Sequence, residues 1–266
     1  MIITDRLVYV HEPKTGGTFV TSALMRVHGV AWTPWFRVMT TLRAENVRTG
    51  PLGRFVYNNH KHGTCNDTPI RYRDRPFVAT VRHPLELLVS EFEFGWWKRR
   101  DMRGHYARVP EFGRRFPGFP DLGFAEYVSL SHAAFRADLG GLPPEEGPGP
   151  LTERFVRYYC RHPHEVIARL RAAPDDVEAV RRDLHPVTFL LTHDLNAQLH
   201  ACLRNLGYPA EAIAFIAAMP RVLPGGRGRG PGDAWTRHYT PELARVVRAR
   251  EAVLFDLFPA FDRAEP

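Results

Sequence analysis

Cysteine is scarce in this chain. Cys65, Cys160 and Cys202 are the only three in 266 residues, and no two form a C-x-x-C pair. An odd, scattered set of this kind builds neither a disulfide framework nor a zinc site, and it fits a reducing cytoplasm. Long apolar runs are also missing. No window approaches the roughly 18 consecutive apolar residues of a membrane span, and Met1 leads into Ile2-Ile3 without a charged-then-apolar leader, so neither a span nor a signal peptide is expected. The basic residues form no dense run and show no zinc-finger or RNP spacing, which argues against a nucleic-acid partner. There is no Asp-rich metal motif and no internal repeat.

What is present is globular in balance: 44% hydrophobic and 24% charged residues. The length suits one domain over residues 1–266, most economically an α/β domain with helical insertions. Thirty-six Lys and Arg against 29 Asp and Glu give a net charge of +7, which favours acidic partners such as nucleotides, phosphates and carboxylated or sulfated acceptors. Heavy use of Ala, Arg, Gly and Pro points to a gene of high G+C content, as in many bacteria.

The chain is organised around Leu7-Val8-Tyr9-Val10-His11-Glu12-Pro13-Lys14-Thr15-Gly16-Gly17-Thr18. An apolar strand runs into a turn with one lysine and two glycines, and a helix continues from there to about His28. Glycines let the backbone take unusual dihedrals and approach a ligand. The first amides of the helix favour a phosphate, and Lys14 supplies a positive charge. In a Walker A loop the lysine comes after the glycines; here it precedes them, which disfavours an ordinary ATPase or kinase. A tight turn with nothing bound would look the same in isolation.

A second strand-to-helix junction resembles the first. Phe77-Val78-Ala79-Thr80-Val81 reads as a buried strand and is succeeded by Arg82-His83-Pro84 and a helix from about Leu85. Arg82 and Ser90 could supply a charged fork and a hydroxyl to a second phosphate, with His83 in a structural role. Arg54 to Thr64 is a short β-prone run ending in His60 and His62, where ligands bind in an open parallel sheet.

Elsewhere, Ala31 to Phe36 is read as a proline-broken aromatic loop. Residues 101–150 are read as a loop-rich insertion with a short helix near 124–130. Asp175 and Glu178 are read as a capping box for a helix ending near Leu184, Val187 to Leu191 as a buried strand, and Thr240-Pro241 as the start of the last helix. Trp96, Trp97 and Tyr106 are candidates to line an acceptor cleft, though core packing is favoured for at least one of the tryptophans.

Taken together, these motifs resemble those of the sulfotransferases that use 3′-phosphoadenosine 5′-phosphosulfate. Pro13-Lys14-Thr15-Gly16-Gly17-Thr18 looks like their 5′-phosphosulfate loop, and Arg82-His83-Pro84 with Ser90 looks like their 3′-phosphate motif. The carbohydrate branch of the uronosyl 2-O-sulfotransferase type is the most similar. Its Y-x-x-H strand end matches Tyr57-Asn58-Asn59-His60.

The resemblance implies a P-loop-like three-layer fold with a central parallel sheet and helices on both faces. It implies transfer of a sulfuryl group to an acceptor hydroxyl, on a saccharide, anionic saccharides included, or a small metabolite. Lys14 would stabilise the leaving phosphate and His60 would act as general base, with His62 in reserve. Thr15, Gly16, Gly17, Thr18, Arg82 and Ser90 would join Lys14 in holding the donor, with no metal, and Arg227 and Arg229 are candidates to close over the 3′-phosphate. A nucleotide-dependent phosphotransferase and a non-catalytic nucleotide-binding module remain open as alternatives.

Overall fold

The computed structural model describes residues 1–42, 45–99, 102, 106, 109–134, 147–220 and 234–264. Among the described residues it is an α/β protein on one six-stranded sheet, and the chain divides into two compact units, Met1–Arg82 with His185–Gly228 and His83–Leu184 with Arg229–Pro266. Among the described residues no helix is long and apolar enough to cross a membrane.

The first unit carries the whole sheet. Its strands are β1 (Ile2–Thr4), β2 (Val8–Val10), β3 (Glu45–Gly50), β4 (Gly53–Asn58), β5 (Phe77–Val81) and β6 (Val187–Leu191), in the spatial order β3-β4-β1-β2-β5-β6. The expected central parallel sheet is corrected to a mixed one. β2, β5 and β6 pair in parallel, while β1 is antiparallel to both β2 and β4, and β3 is antiparallel to β4. The antiparallel half arises because Asp5-Arg6 and Pro51-Leu52 are turns too short for a crossover, which needs a dozen or more residues.

Strand direction decides at which edge each connecting loop emerges. Since β2 and β4 are both antiparallel to β1, they run the same way, and β5 and β6 run with them. Four of the six strands therefore end at one edge of the sheet.

The helix α1 (Gly17–Val27) buries Phe19, Val20, Ala23, Leu24 and Val27, an i, i+1, i+4, i+5, i+8 stripe of the kind that faces a core. These residues join Tyr9, Val78 and Leu190 from the sheet and Leu195, Leu199 and Leu203 from the helix Leu195–Asn205 in one apolar cluster. Burying a leucine of this kind contributes about 1.5–3 kcal/mol.

The segment expected to be a loop at Ala31 to Phe36 instead opens the helix α2 (Pro34–Leu42). Pro34 occupies the first helical position, where its missing N–H is harmless, and Thr33 caps the turn by accepting the Phe36 amide at 3.1 Å. The proline starts a helix here and does not break one.

In the second unit, α3 (Pro84–Phe94) likewise starts on a proline. Of the segment 101–150, the described part holds the helices Phe112–Arg115 and Phe124–Ala134, so the expected helix extends four residues further. The helix Val177–Asp183 is capped by Asp176, whose carboxylate accepts the Ala179 amide at 3.0 Å. This places the cap one residue later than the Asp175 expected from the sequence.

Thr240 and Pro241 start the helix Pro241–Arg250 as expected, but it ends at the fully buried Glu251, after which Ala252–Leu257 begins. The Glu251 carboxylate accepts from the Leu151 amide (3.1 Å), the Thr152 amide (2.7 Å) and the Thr152 hydroxyl (2.7 Å). It thereby satisfies the opening amides of the helix Pro150–Tyr159. Gly149 has to be glycine beside it, since a Cβ there would lie 2.0 Å from a Glu251 oxygen.

Candidate functional site

Three of the sequence signals fall at the sheet edge where the four co-directional strands end. β2 leads into the loop His11 to Gly16, β4 into Asn59 to Gly63, and β5 into Arg82. β2 and β5 are adjacent and in register at Val10 and Ala79, so the lysine loop and Arg82 leave from neighbouring strands. The Arg82 guanidinium donates to the Lys14 carbonyl at 3.1 Å, tying the first motif to the start of the second.

The loop backbone is unusual. Lys14 has φ +66° and Gly16 has φ +91°, both in the left-handed region. For lysine this conformation costs roughly 1–2 kcal/mol, so it persists only where the surroundings hold it. Gly16 caps α1, and the first amide bonded into the helix is that of Phe19, to the Gly16 carbonyl at 3.0 Å. The amides of Gly17 and Thr18 precede the helical ladder and form the positive end of the helix dipole.

The two glycines have distinct reasons to be glycine. A Cβ on Gly16 would sit at a positive φ and 3.0 Å from a Leu195 methyl. At Gly17 a Cβ would fall 1.9 Å from Cδ2 and 2.0 Å from Nε2 of His11. The space opened by Gly17 is therefore filled by a buried imidazole of the same loop, which sequence reasoning did not single out.

His11 in turn connects the loop to the histidine turn. The His62 ring meets the His11 ring edge-on at 4.9 Å, and His62 Nδ1 lies 3.0 Å from the His11 carbonyl oxygen. A carbonyl only accepts, so Nδ1 carries the proton and Nε2 of neutral His62 is left as the basic nitrogen. His60 is held differently. Its amide donates to the Asn58 side chain at 2.8 Å, and its exposed ring makes no hydrogen bond or ring contact among the described residues. The strand-end motif thus presents two histidines, one oriented by the loop and one open.

Compared with protein-family models, with curated proteins and with solved structures, the chain matches none.

Burial, then the neighbouring His62 and Lys61, depresses the His11 pKa from 6.5 to about 2. His11 is thus neutral when folded. Below pH 6.5 the unfolded chain takes up a proton that the folded one refuses, so stability falls as pH drops, by up to about 1.4 kcal/mol per pH unit. Urea unfolding at pH 7.5 and 5.5 is expected to show this loss in the wild type and a smaller one in His11→Gln.

The other expected residues are spread over both units. Thr15 is buried and Thr18 is partly exposed at the start of α1. Ser90 lies in α3 of the second unit, where it is buried. His83 fills a structural place, with the rings of Trp235, Phe255 and Phe261 at 5.3–5.4 Å, and burial lowers its pKa to about 4.

Trp97 and Tyr106 are buried, Trp97 among Phe92, Phe119 and Tyr127. Both sit in the core of the second unit. Arg227 and Arg229 lie outside the described residues. Among the described residues no group of three or more His, Cys, Asp or Glu side chains could hold a metal ion.

Proposed function

We propose that the protein is a sulfotransferase that takes its sulfuryl group from 3′-phosphoadenosine 5′-phosphosulfate and delivers it to a hydroxyl acceptor. The observation that carries this reading is the convergence of Lys14, Arg82 and the His60–His62 turn on one sheet edge, where β2, β4 and β5 end. The identification of the sheet as P-loop-like belongs to the same proposal. It is supported by the parallel β2-β5-β6 set and by a left-handed loop leading into α1.

In this reading the donor supplies a sulfuryl group on a phosphate leaving group, and the protein binds, orients and stabilises charge. The amides from Thr15 to Thr18 hold the 5′-phosphate, as preorganised donors at a helix N-terminus do. Lys14 neutralises the negative charge that grows on the departing phosphate oxygen. Arg82 and Ser90 are assigned to the 3′-phosphate on the strength of the Arg82-His83-Pro84 motif. A strand-end histidine accepts the proton of the attacking hydroxyl, the general-base role that imidazole fills most often in enzymes.

The acceptor class is a saccharide or small metabolite, with an anionic saccharide favoured by the +7 charge. A phosphotransferase is the weaker reading, because Lys14 comes before Gly16 and Gly17 in the chain and not after them. Transfer from the radiolabelled donor to a panel of sugar, uronate and phenol acceptors tests the proposal. His60→Ala is expected to lower the rate by about 10²- to 10⁴-fold, the usual cost of losing a general base, with His62→Ala the smaller effect. The reverse order would move the base to His62, whose Nε2 the His11 carbonyl leaves unprotonated.

A further inference from the structure

Beneath the lysine loop runs a chain of hydroxyls that the sequence did not reveal. Tyr9 of β2 and Thr80 of β5 have their oxygens 2.8 Å apart, and Thr80 is 2.8 Å from Thr15 Oγ1. Thr15 Oγ1 is 2.9 Å from the Glu12 carbonyl oxygen. Tyr9, Thr80 and Thr15 are all essentially inaccessible to solvent.

Counting protons fixes the direction of this chain. The Glu12 carbonyl can only accept, so the single Thr15 hydroxyl proton goes to it. Thr15 oxygen must then accept from Thr80, and Thr80, having spent its proton, must accept from Tyr9. The order is Tyr9 to Thr80 to Thr15 to Glu12, with every hydroxyl donor satisfied.

Thr15 is also the residue between the two left-handed positions, Lys14 and Gly16. Its side chain is the point at which that backbone is fastened both to its own loop and to the sheet. We propose that Thr80, which lies outside the loop, is a positioning residue that holds Lys14 to Gly16 in its anion-binding shape through the Thr15 hydroxyl. The inference rests on the sulfotransferase donor site but names a residue that the motif does not contain.

Proton order gives the two ends of the chain different consequences. Thr80→Val removes the donor to Thr15 and frees the loop. Tyr9→Phe removes only the donor to Thr80, whose own bond to Thr15 survives, so it lowers stability without loosening the loop.

The test combines calorimetric titration with adenosine 3′,5′-bisphosphate and hydrogen exchange of the amides of residues 15–18, on the full chain. Thr80→Val is expected to weaken binding about tenfold, as for a lost buried hydrogen bond, and to speed exchange in the loop. Thr80→Ser is expected to restore both, and Tyr9→Phe to leave both near wild type. Should Thr80→Val not fold, Thr15→Val cuts the same link from the loop side, together with the bond to the Glu12 carbonyl, and is expected to give at least the same loss.

Wild-type behaviour of these valine variants, failure of serine to rescue, or an equal effect of Tyr9→Phe would overturn the proposal. If the wild type does not bind the bisphosphate while Thr80→Val still speeds loop exchange, the loop fastening stands and the donor reading falls.

Discussion

Lys14→Ala is expected to lower sulfuryl transfer by about 10²- to 10³-fold, the usual cost of removing one preorganised charge-stabilising group, while leaving the fold in place. Two features make the substitution clean. Lys14 is half-buried and outside the apolar cluster around α1, and alanine keeps the Cβ, so the strain at φ +66° is the same in both proteins. The loss should therefore appear in kcat with the unfolding midpoint little moved. Initial-rate kinetics with the radiolabelled donor, set beside a urea titration, measure both. An undiminished kcat would remove Lys14 from the mechanism.

Gly17→Ala is expected to act through His11. In an isolated helix, alanine in place of glycine is favourable by about 1 kcal/mol, but here the new Cβ would lie 1.9–2.7 Å from three atoms of the His11 ring. The buried imidazole has to leave its place, at a cost of about 1–3 kcal/mol for overpacking. His62, which rests on the His11 ring and carbonyl, loses its support at the same time.

The sign should reverse when the obstacle is gone. In a His11→Ala background, Gly17→Ala is expected to be neutral or stabilising, giving a coupling between the two sites at the upper end of the about 0.5–3 kcal/mol seen for residues in contact. Urea unfolding of the four proteins measures it. Additive effects would mean that Gly17 is required for some reason other than the imidazole.

This pair also shows where the sequence was legible and where it was not. In one dimension Gly16-Gly17 reads as a ligand cradle or as a tight turn, because spacing alone offers only those two reasons for a missing Cβ. The structure supplies another explanation for Gly17, a histidine six residues earlier whose ring folds back over the first turn of α1. No spacing rule announces such a contact.

The Tyr9, Thr80 and Thr15 chain was hidden for a related reason. Thr80 lies 65 residues from Thr15 and 71 from Tyr9, and only the parallel pairing of β2 with β5 brings them together. The elements themselves were far more legible. Phe77 to Val81 is a run of five fully buried positions, and α1 has its apolar stripe written at helical spacing.

Direction of the strands was half legible. A parallel sheet was expected from the family resemblance, but the short turns after β1 and β3 set β1 antiparallel to β2 and β3 antiparallel to β4, and β1 also pairs antiparallel with β4. The expectation that the His60 turn would lie at the same edge as the lysine loop holds nonetheless, because two antiparallel steps restore the direction of β4. Likewise Pro34 and Pro84 both open helices, and only the helix after Pro84 was expected, since a proline among aromatics looks like a break when its capping threonine is not weighed.

The central claim is that the protein holds a donor with phosphates at both the 3′ and 5′ positions. Calorimetric titration with adenosine 3′,5′-bisphosphate, with ATP and magnesium as the comparison, tests it most directly. Tight binding of the bisphosphate, lost in Lys14→Ala and Arg82→Ala, and little binding of ATP is the predicted result. Binding of ATP with magnesium in its place would contradict the account and assign the loop to phosphoryl transfer, and binding of neither would leave the Lys14 loop as a turn that serves the fold.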